Sequence, residues 1–452
     1  MPTWDASALA ADDKRHLLHP LYHPDDHTKP HIWVKGQGAV LTDAEGKEFI
    51  DGLACLWNVN VGHGRKELAD AAAAQMATLA YATNYTGSSN IPAIELANRL
   101  TKIAYPNMVS TYFTSGGAES NESAFKTARF YWKIKGKPDK VKVIARQFAY
   151  HGVTMAAMSA TSVPGYDRMF APRVPNFVHT ATPYIYRFEG AKPGETVGQA
   201  AARMLEETIL KEGPETVAAF IAEPVQGAGG VIVPPDDYFP LVRQICTKYD
   251  VLFIADEVIT GFGRTGDWFA LTRYGVQPDI LAFAKGITSG YLPLGGIMVS
   301  QPILDAMLSA PYGDRWMHAY TYSGHATCCA VGLRNLDILE KEGLVQRAAT
   351  MGARLLAGMQ TLLDLRAVGE VRGKGMLVAV ELVADRATKA AFDPAKKVLG
   401  KIKAELEARG VFTRNVRDIL CFAPPLVITE AQVDTLVSAT REAISAVLPD
   451  RA

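Results

Sequence analysis

Lys285 stands directly behind an apolar run, Ile280-Leu-Ala-Phe-Ala284, and is followed by Gly286 and Ile287. An ammonium at the end of such a run is poorly solvated, and poor solvation favours the neutral amine. A neutral lysine amine is a nucleophile that condenses with aldehydes to an imine. The plainer alternative is a lysine that ends a strand and reaches back to water. A second candidate is Asp256-Glu257, which ends the apolar run starting at Val251. Acids in that place bind a metal, neutralise a cation or cap the next element. A third is Ser115-Gly116-Gly117-Ala118-Glu119, between an apolar stretch and a helical one. Glycines at a helix start let free N–H groups converge on a phosphate, and the helix dipole favours the anion. An ordinary tight turn is the alternative there.

Two other strings resemble known sites without completing them. An apolar strand ending in Asp-Glu occurs in P-loop ATPases, but the chain contains no G-x-x-x-x-G-K-[ST]. Gly261-Phe-Gly-Arg-Thr-Gly266 matches the dinucleotide pattern G-x-G-x-x-G. Val258-Ile-Thr separates it from the preceding acidic pair, no clean helix opens after it, and the ribose acid would have to be Asp279. A glycine-rich loop accounts for it better than an NAD(P)-dependent dehydrogenase does.

The elements that must position these residues alternate. Apolar strands are expected at 111–114, 141–145, 217–222, 251–255, 280–284 and 296–299, with helices between them at 118–135, 198–211 and 237–249. Alternation of this kind predicts an α/β domain with a mostly parallel sheet, whose strands are apolar on both faces because both are covered. Before it, residues 31–61 read as a hairpin or small meander, followed by helices at 67–81 and 94–104. After about residue 330, helices at 329–342, 344–363, 395–409 and 430–447 surround a strand pair near 368–382 and a strand near 420–422. This predicts a smaller α+β domain built from both termini: residues 1–65 and 331–452 around a large domain of 66–330.

With 452 residues, 48% apolar and 21% charged, the chain has the make-up of a globular protein with large cores. A formal net charge of zero gives no electrostatic footprint for nucleic acid or an acidic membrane. Cys55, Cys246, Cys328, Cys329 and Cys421 are scattered and form no C-x-x-C pair, which argues against a disulfide framework or zinc site and for a reducing setting. No secretory leader or transmembrane stretch is expected, so the expected location is cytoplasmic.

An imine-forming lysine, a carboxylate and a phosphate cradle are the set that pyridoxal phosphate requires. The strings Ala255-Asp-Glu-Val-Ile-Thr-Gly-Phe-Gly-Arg-Thr-Gly266, Phe283-Ala-Lys-Gly286, Ala222-Glu-Pro-Val-Gln-Gly-Ala-Gly-Gly230 and Thr321-Tyr-Ser-Gly-His325 resemble the class III, fold-type-I pyridoxal-phosphate aminotransferases, especially the ω-amine:pyruvate subgroup. The resemblance runs from Gly36 to the final helix. It implies that Lys285 holds the cofactor and shuttles a proton, that Asp256 pairs with the ring nitrogen, and that Tyr150 and Val258 cover the ring faces. Ser115, Gly116, Gly117 and Ala118 would serve the phosphate, with Thr321 from a neighbouring subunit; His151 and Glu223 would lie beside the cofactor. Relatives often have serine where Ala118 stands.

For substrate, Arg414 matches an arginine that grips carboxylates, and Glu223 matches a glutamate that can pair with it. Trp57, with Tyr22, Tyr85 and Tyr166, would line the pocket, although each could equally be plain packing. The implied protein is a homodimer or tetramer that moves an amino group from a primary ω-amine or ω-amino acid to pyruvate. An aminomutase or decarboxylating relative is the alternative; taurine, β-alanine, putrescine and longer ω-amino acids are all open as donors.

Overall fold

The structure is a computed structural model that describes residues 4–27 and 29–449. The early meander is present as β1 (Trp33–Gln37), β2 (Val40–Asp43) and β3 (Glu48–Asp51). Asp43 shapes the second turn by accepting the N–H groups of Glu45 and Lys47 at 3.0 and 2.9 Å, and Gly46 supplies the positive φ of 84°.

Seven strands form the central sheet: β4 (Met108–Thr114), β5 (Lys142–Arg146), β6 (Phe177–Thr180), β7 (Val217–Ala222), β8 (Leu252–Asp256), β9 (Ile280–Phe283) and β10 (Gly295–Ser300). Their order is β4-β10-β9-β8-β7-β5-β6. Strands β6, β5, β7, β8 and β9 pair in parallel, as the alternating pattern predicts. Strand β10 departs from it and runs antiparallel to both β9 and β4. A short link from Lys285 leaves no room for a crossover helix, so the chain turns straight back. Every residue of β7, β8 and β9 is buried, which is why these strands are unbroken apolar runs. Strand β6 was not expected, because Phe-Val-His-Thr is short and half polar.

Helices flank the sheet, and their starts carry the signals that fix them. Thr196 and Gln199 form a reciprocal capping box before Val197–Glu212, and Thr429 and Gln432 do the same before Glu430–Val447. The helix expected from 395 begins at Val398 instead, since Pro394–Lys396 is a single 3-10 turn and Lys397 takes φ 47°. A third sheet joins β11 (Val368–Lys374), β12 (Leu377–Leu382), β14 (Arg414–Val416) and β15 (Ile419–Phe422). Between them, β13 (Val411–Phe412) leaves that sheet and pairs in parallel with β3, Val411 opposite Ile50. The two ends of the chain thus meet in one sheet.

Past β9 the chain makes a 3-10 turn, Lys285–Ile287, with Lys285 at φ 51° and Ser289 also at φ 51°. Conformations this costly for residues with a Cβ persist only where the surroundings impose them. Asn335, fully buried in the helix Ala326–Lys341, donates to the carbonyls of Gly286 and Ile287 at 2.8 and 3.0 Å. Its own Oδ1 accepts the Ser289 hydroxyl at 2.6 Å. Asn335→Ala should therefore leave several buried polar groups unpaired and cost about 2–4 kcal/mol. The check is a fall in the thermal midpoint of the purified protein; an unchanged midpoint would show that Asn335 does not brace this turn.

Candidate active site

Ligands of open parallel sheets lie at the carboxyl ends of the strands, because the loops there diverge. At that edge β4 leads into Ser115 and Gly116, β5 into Tyr150 and His151, β7 into Glu223, β8 ends in Asp256, and β9 leads into Lys285. Residues far apart in sequence are gathered by strand order alone.

Asp256 is buried, and its Oδ2 accepts from Asn121 Nδ2 at 2.8 Å and His151 Nδ1 at 2.7 Å. Its Oδ1 accepts the Val258 N–H at 3.1 Å. Asn121 was missed from the sequence: it lies one turn inside the helix Gly117–Ile134, where a polar residue reads as a solvated face. His151 Nε2 and Asn121 Oδ1 are buried without a hydrogen-bond partner among the described residues, so polar capacity remains beside the carboxylate.

Lys285 is half-buried, and desolvation lowers its amine from the usual lysine range to about 8. Asp256 and Glu223 act against that fall, while Arg414 adds to it. Glu223 is buried, and desolvation pushes its carboxyl up to about 7; His151 and Arg146 pull it down and Asp256 pushes it further. Its Oε1 accepts the Tyr150 N–H at 3.1 Å.

The glycine pair is a close-packed helix start. A Cβ added at Gly117 would meet Val258 Cγ1 at 2.9 Å, so the residue expected on one ring face sits against the expected phosphate loop. The first-turn N–H groups of Gly117 and Ala118 have no intrahelical acceptor. The Ser115 N–H, by contrast, donates to Glu119 Oε2 at 2.8 Å. Gly152, at φ 130°, leaves its missing Cβ only 2.6 Å from Ala118 Cβ, so this wall is tight around alanine.

Tyr150 packs edge-on against Tyr166, with ring centroids 5.3 Å apart, and burial raises its hydroxyl pKa. Arg414, on β14, is close enough to act electrostatically on both Tyr150 and Lys285, but it forms no ion pair with Glu223 among the described residues. Trp57 is buried in an apolar cluster with Val225, Ile259, Ile419 and Cys421. Tyr22 and Tyr85 remain exposed on this chain, as does Thr321, whose carbonyl accepts the Tyr81 hydroxyl at 2.7 Å. The G-x-G-x-x-G string is an interior loop: fully buried Arg264 donates to the carbonyls of Ala423 and Pro424 and to Asn60 Oδ1. Only a 3-10 turn, Ala270–Tyr274, follows it, so no helix start faces a dinucleotide.

The model of the family "Aminotransferase class-III" matches residues 21–444. The chain belongs to the class III aminotransferases. A putrescine–pyruvate aminotransferase of Pseudomonas aeruginosa is 42% identical over 91% of this chain and 90% of its own. Among solved structures, an (S)-enantioselective omega-transaminase from Thermomicrobium roseum is 50% identical with a TM-score of 0.96, covering 99% of this chain and 100% of that one. An omega transaminase from Pseudomonas jessenii, solved in complex with PMP, is 39% identical with a TM-score of 0.94 over 97% and 98% of the two chains. Class III aminotransferases are fold-type-I enzymes that use pyridoxal phosphate, and the α/β fold with its mostly parallel sheet is theirs.

The residues present fit that cofactor. A buried carboxylate suits a cationic ring nitrogen, an amine brought down to about 8 suits an aldehyde, and a glycine-opened helix start suits a phosphate. Because the neutral amine is the nucleophile, cofactor uptake by apoenzyme should accelerate as pH rises through about 8, well below the ordinary 10.5 of lysine. Glu223→Gln removes a negative charge that holds the lysine pKa up, so its midpoint should move to lower pH. Stopped-flow absorbance during reconstitution measures both; a midpoint above 10 would contradict the first, and an upward shift the second.

Proposed function

We propose that this aminotransferase transfers the amino group of a primary ω-amine or ω-amino acid to pyruvate in a ping-pong cycle. The observation that carries the reading is the shared edge on which Lys285, Asp256, Glu223 and the Gly116-Gly117 helix start stand together, with Arg414 beside them. The putrescine–pyruvate relative and the omega-transaminase neighbours support the choice of amine and acceptor.

Bound pyridoxal phosphate supplies an aldehyde for the amino group and a ring that accepts electrons when a substrate C–H bond breaks. Lys285 would hold it, and its Nζ would carry the proton taken from the substrate carbon. A lysine whose pKa lies near 8 can take and return a proton near neutral pH, as general acid–base work requires. Asp256, oriented by Asn121 and His151, would keep the ring nitrogen protonated. Tyr150 and Val258 would enclose the ring, and the N–H groups of Gly116, Gly117 and Ala118 would hold the phosphate, joined by Thr321 of a second copy of the chain. That last role makes a homodimer, or a tetramer built as a dimer of dimers, the working form, and the exposure of Thr321 on one chain is consistent with it.

Arg414 grips the carboxylate of pyruvate by its planar fork and turns aside, towards Glu223, when an amine without that carboxylate enters. Trp57 lines the pocket wall. We further place the divide between a large cofactor domain and a smaller one near residues 66 and 331. All five cysteines are free thiols, which supports a cytoplasmic setting. No described helix is long and apolar enough to cross a membrane.

Lys285→Ala removes attachment and proton transfer together, and the latter alone contributes on the order of 100- to 10,000-fold. Steady-state rates should fall at least that far, and near wild-type turnover would refute the assignment. Arg414→Ala should slow the pyruvate half-reaction much more than the half-reaction with a simple alkylamine, read by single-turnover absorbance; equal losses would refute the switch. A panel of amine donors should form alanine from pyruvate one-for-one with amine consumed. Turnover with 2-oxoglutarate but not pyruvate would overturn the acceptor.

A further inference from the structure

Between β3 and the helix Lys66–Leu79 the chain passes through a strained turn: Ala54, Cys55 and Trp57 have φ of 47°, 54° and 64°. Left-handed backbone at three of four residues carrying a Cβ needs an external cause. The last residue of β3, Asp51, is fully buried and supplies one. Its Oδ1 accepts the N–H groups of Leu53 at 3.2 Å and Cys55 at 2.9 Å, and Oδ2 accepts the Cys55 N–H and His63 Nε2 at 2.8 Å each. His63 is fixed in turn: it exchanges backbone hydrogen bonds with Gly38 at 2.8 and 3.0 Å. A Cβ on Gly36 would meet the His63 Cβ at 2.7 Å. The loop is thereby tied at both ends to the meander.

What the tied loop presents is Trp57, buried against Val225, Ile259, Ile419 and Cys421. Cys421 is the register partner of Arg414, and Asn60 of the same loop lies against Gly286, next to the catalytic lysine. Asp51, Cys55 and His63 also have the donor types of a metal centre. However, both Asp51 oxygens already accept backbone N–H groups, and burial with the adjacent carboxylate pushes the Cys55 thiol up to about 12, which disfavours a ligating thiolate. The group is a hydrogen-bonded clamp.

We propose that Asp51, with His63 as its partner, is a positioning residue that sets the upper size of the amine substrate by holding Trp57 in its left-handed turn. The proposal rests on the reading that Trp57 lines the substrate pocket. Asp51→Ala should release the turn, whereas Asp51→Asn can keep it. The asparagine carbonyl still accepts the Leu53 and Cys55 N–H groups, and its amide can donate to the other His63 tautomer.

The test compares kcat/KM for n-propylamine and for 1-(1-naphthyl)ethylamine, with pyruvate, in Asp51→Ala, Asp51→Asn, Trp57→Ala and Asp51→Ala/Trp57→Ala. Asp51→Ala should shift the ratio of the two by about tenfold or more. Asp51→Asn should keep the wild-type ratio, and the double variant should match Trp57→Ala alone, since the carboxylate acts through that ring. Cys55 is the one half-buried cysteine among the described residues, the other four being buried, and its reaction with a thiol reagent should quicken in Asp51→Ala but not in Asp51→Asn. If Asp51→Ala does not fold, His63→Ala carries the same comparison. A ratio unmoved by Asp51→Ala but moved by Trp57→Ala overturns the clamp and leaves the pocket reading standing; additive effects in the double variant also overturn it. A ratio unmoved by Trp57→Ala removes Trp57 from the pocket and the proposal with it.

Discussion

Lys285, Asp256 and Glu223 follow from three neighbouring parallel strands, β9, β8 and β7, and the rest of the site depends on how their charges share one poorly solvated edge. Adjacent strands lie about 4.8 Å apart, so groups at their ends feel one another strongly. Desolvation brings the lysine down to about 8 and the Glu223 carboxyl up to about 7, each resisted by an oppositely charged neighbour. Burial alone would silence the lysine as a cation, and the carboxylates alone would hold it permanently charged. Their balance leaves an amine that can exist in both forms near neutrality, which the roles proposed for Lys285 in attachment and proton transfer both require.

That balance is held in place by buried polar networks. Asn335 ties down the Lys285 turn, Asn121 and His151 orient Asp256, and Asp51 fixes the turn carrying Trp57. In each case a fully or nearly fully buried side chain satisfies backbone or side-chain groups, distant in sequence for Asn335, Asn121 and His151 and local for Asp51. Buried polar groups of this kind are costly when unpaired, so each network favours one arrangement. The close fit of Gly117 against Val258 and of Gly152 against Ala118 adds steric limits to the electrostatic ones.

Much of this was legible in the sequence, for a physical reason. Strands covered on both faces must be continuous apolar runs, so β7, β8 and β9 stand out, and the polar residue after each marks the functional edge. Strand direction is not written in such runs, and the antiparallel course of β10 shows only in the pairing. Asn121, Asn335 and Arg264 were illegible because their value lies in partners 30 to 204 positions away. Asp51 and His63 carry no signal in the sequence, and their role emerges only from the hydrogen bonds and backbone angles of the turn.

The most direct measurement is the site of covalent cofactor attachment. Reduction of the purified enzyme with borohydride, followed by peptide mapping, should find the pyridoxyl group on Lys285 and nowhere else. A colourless protein that takes up no pyridoxal phosphate, or a tag on any other lysine, would contradict the account.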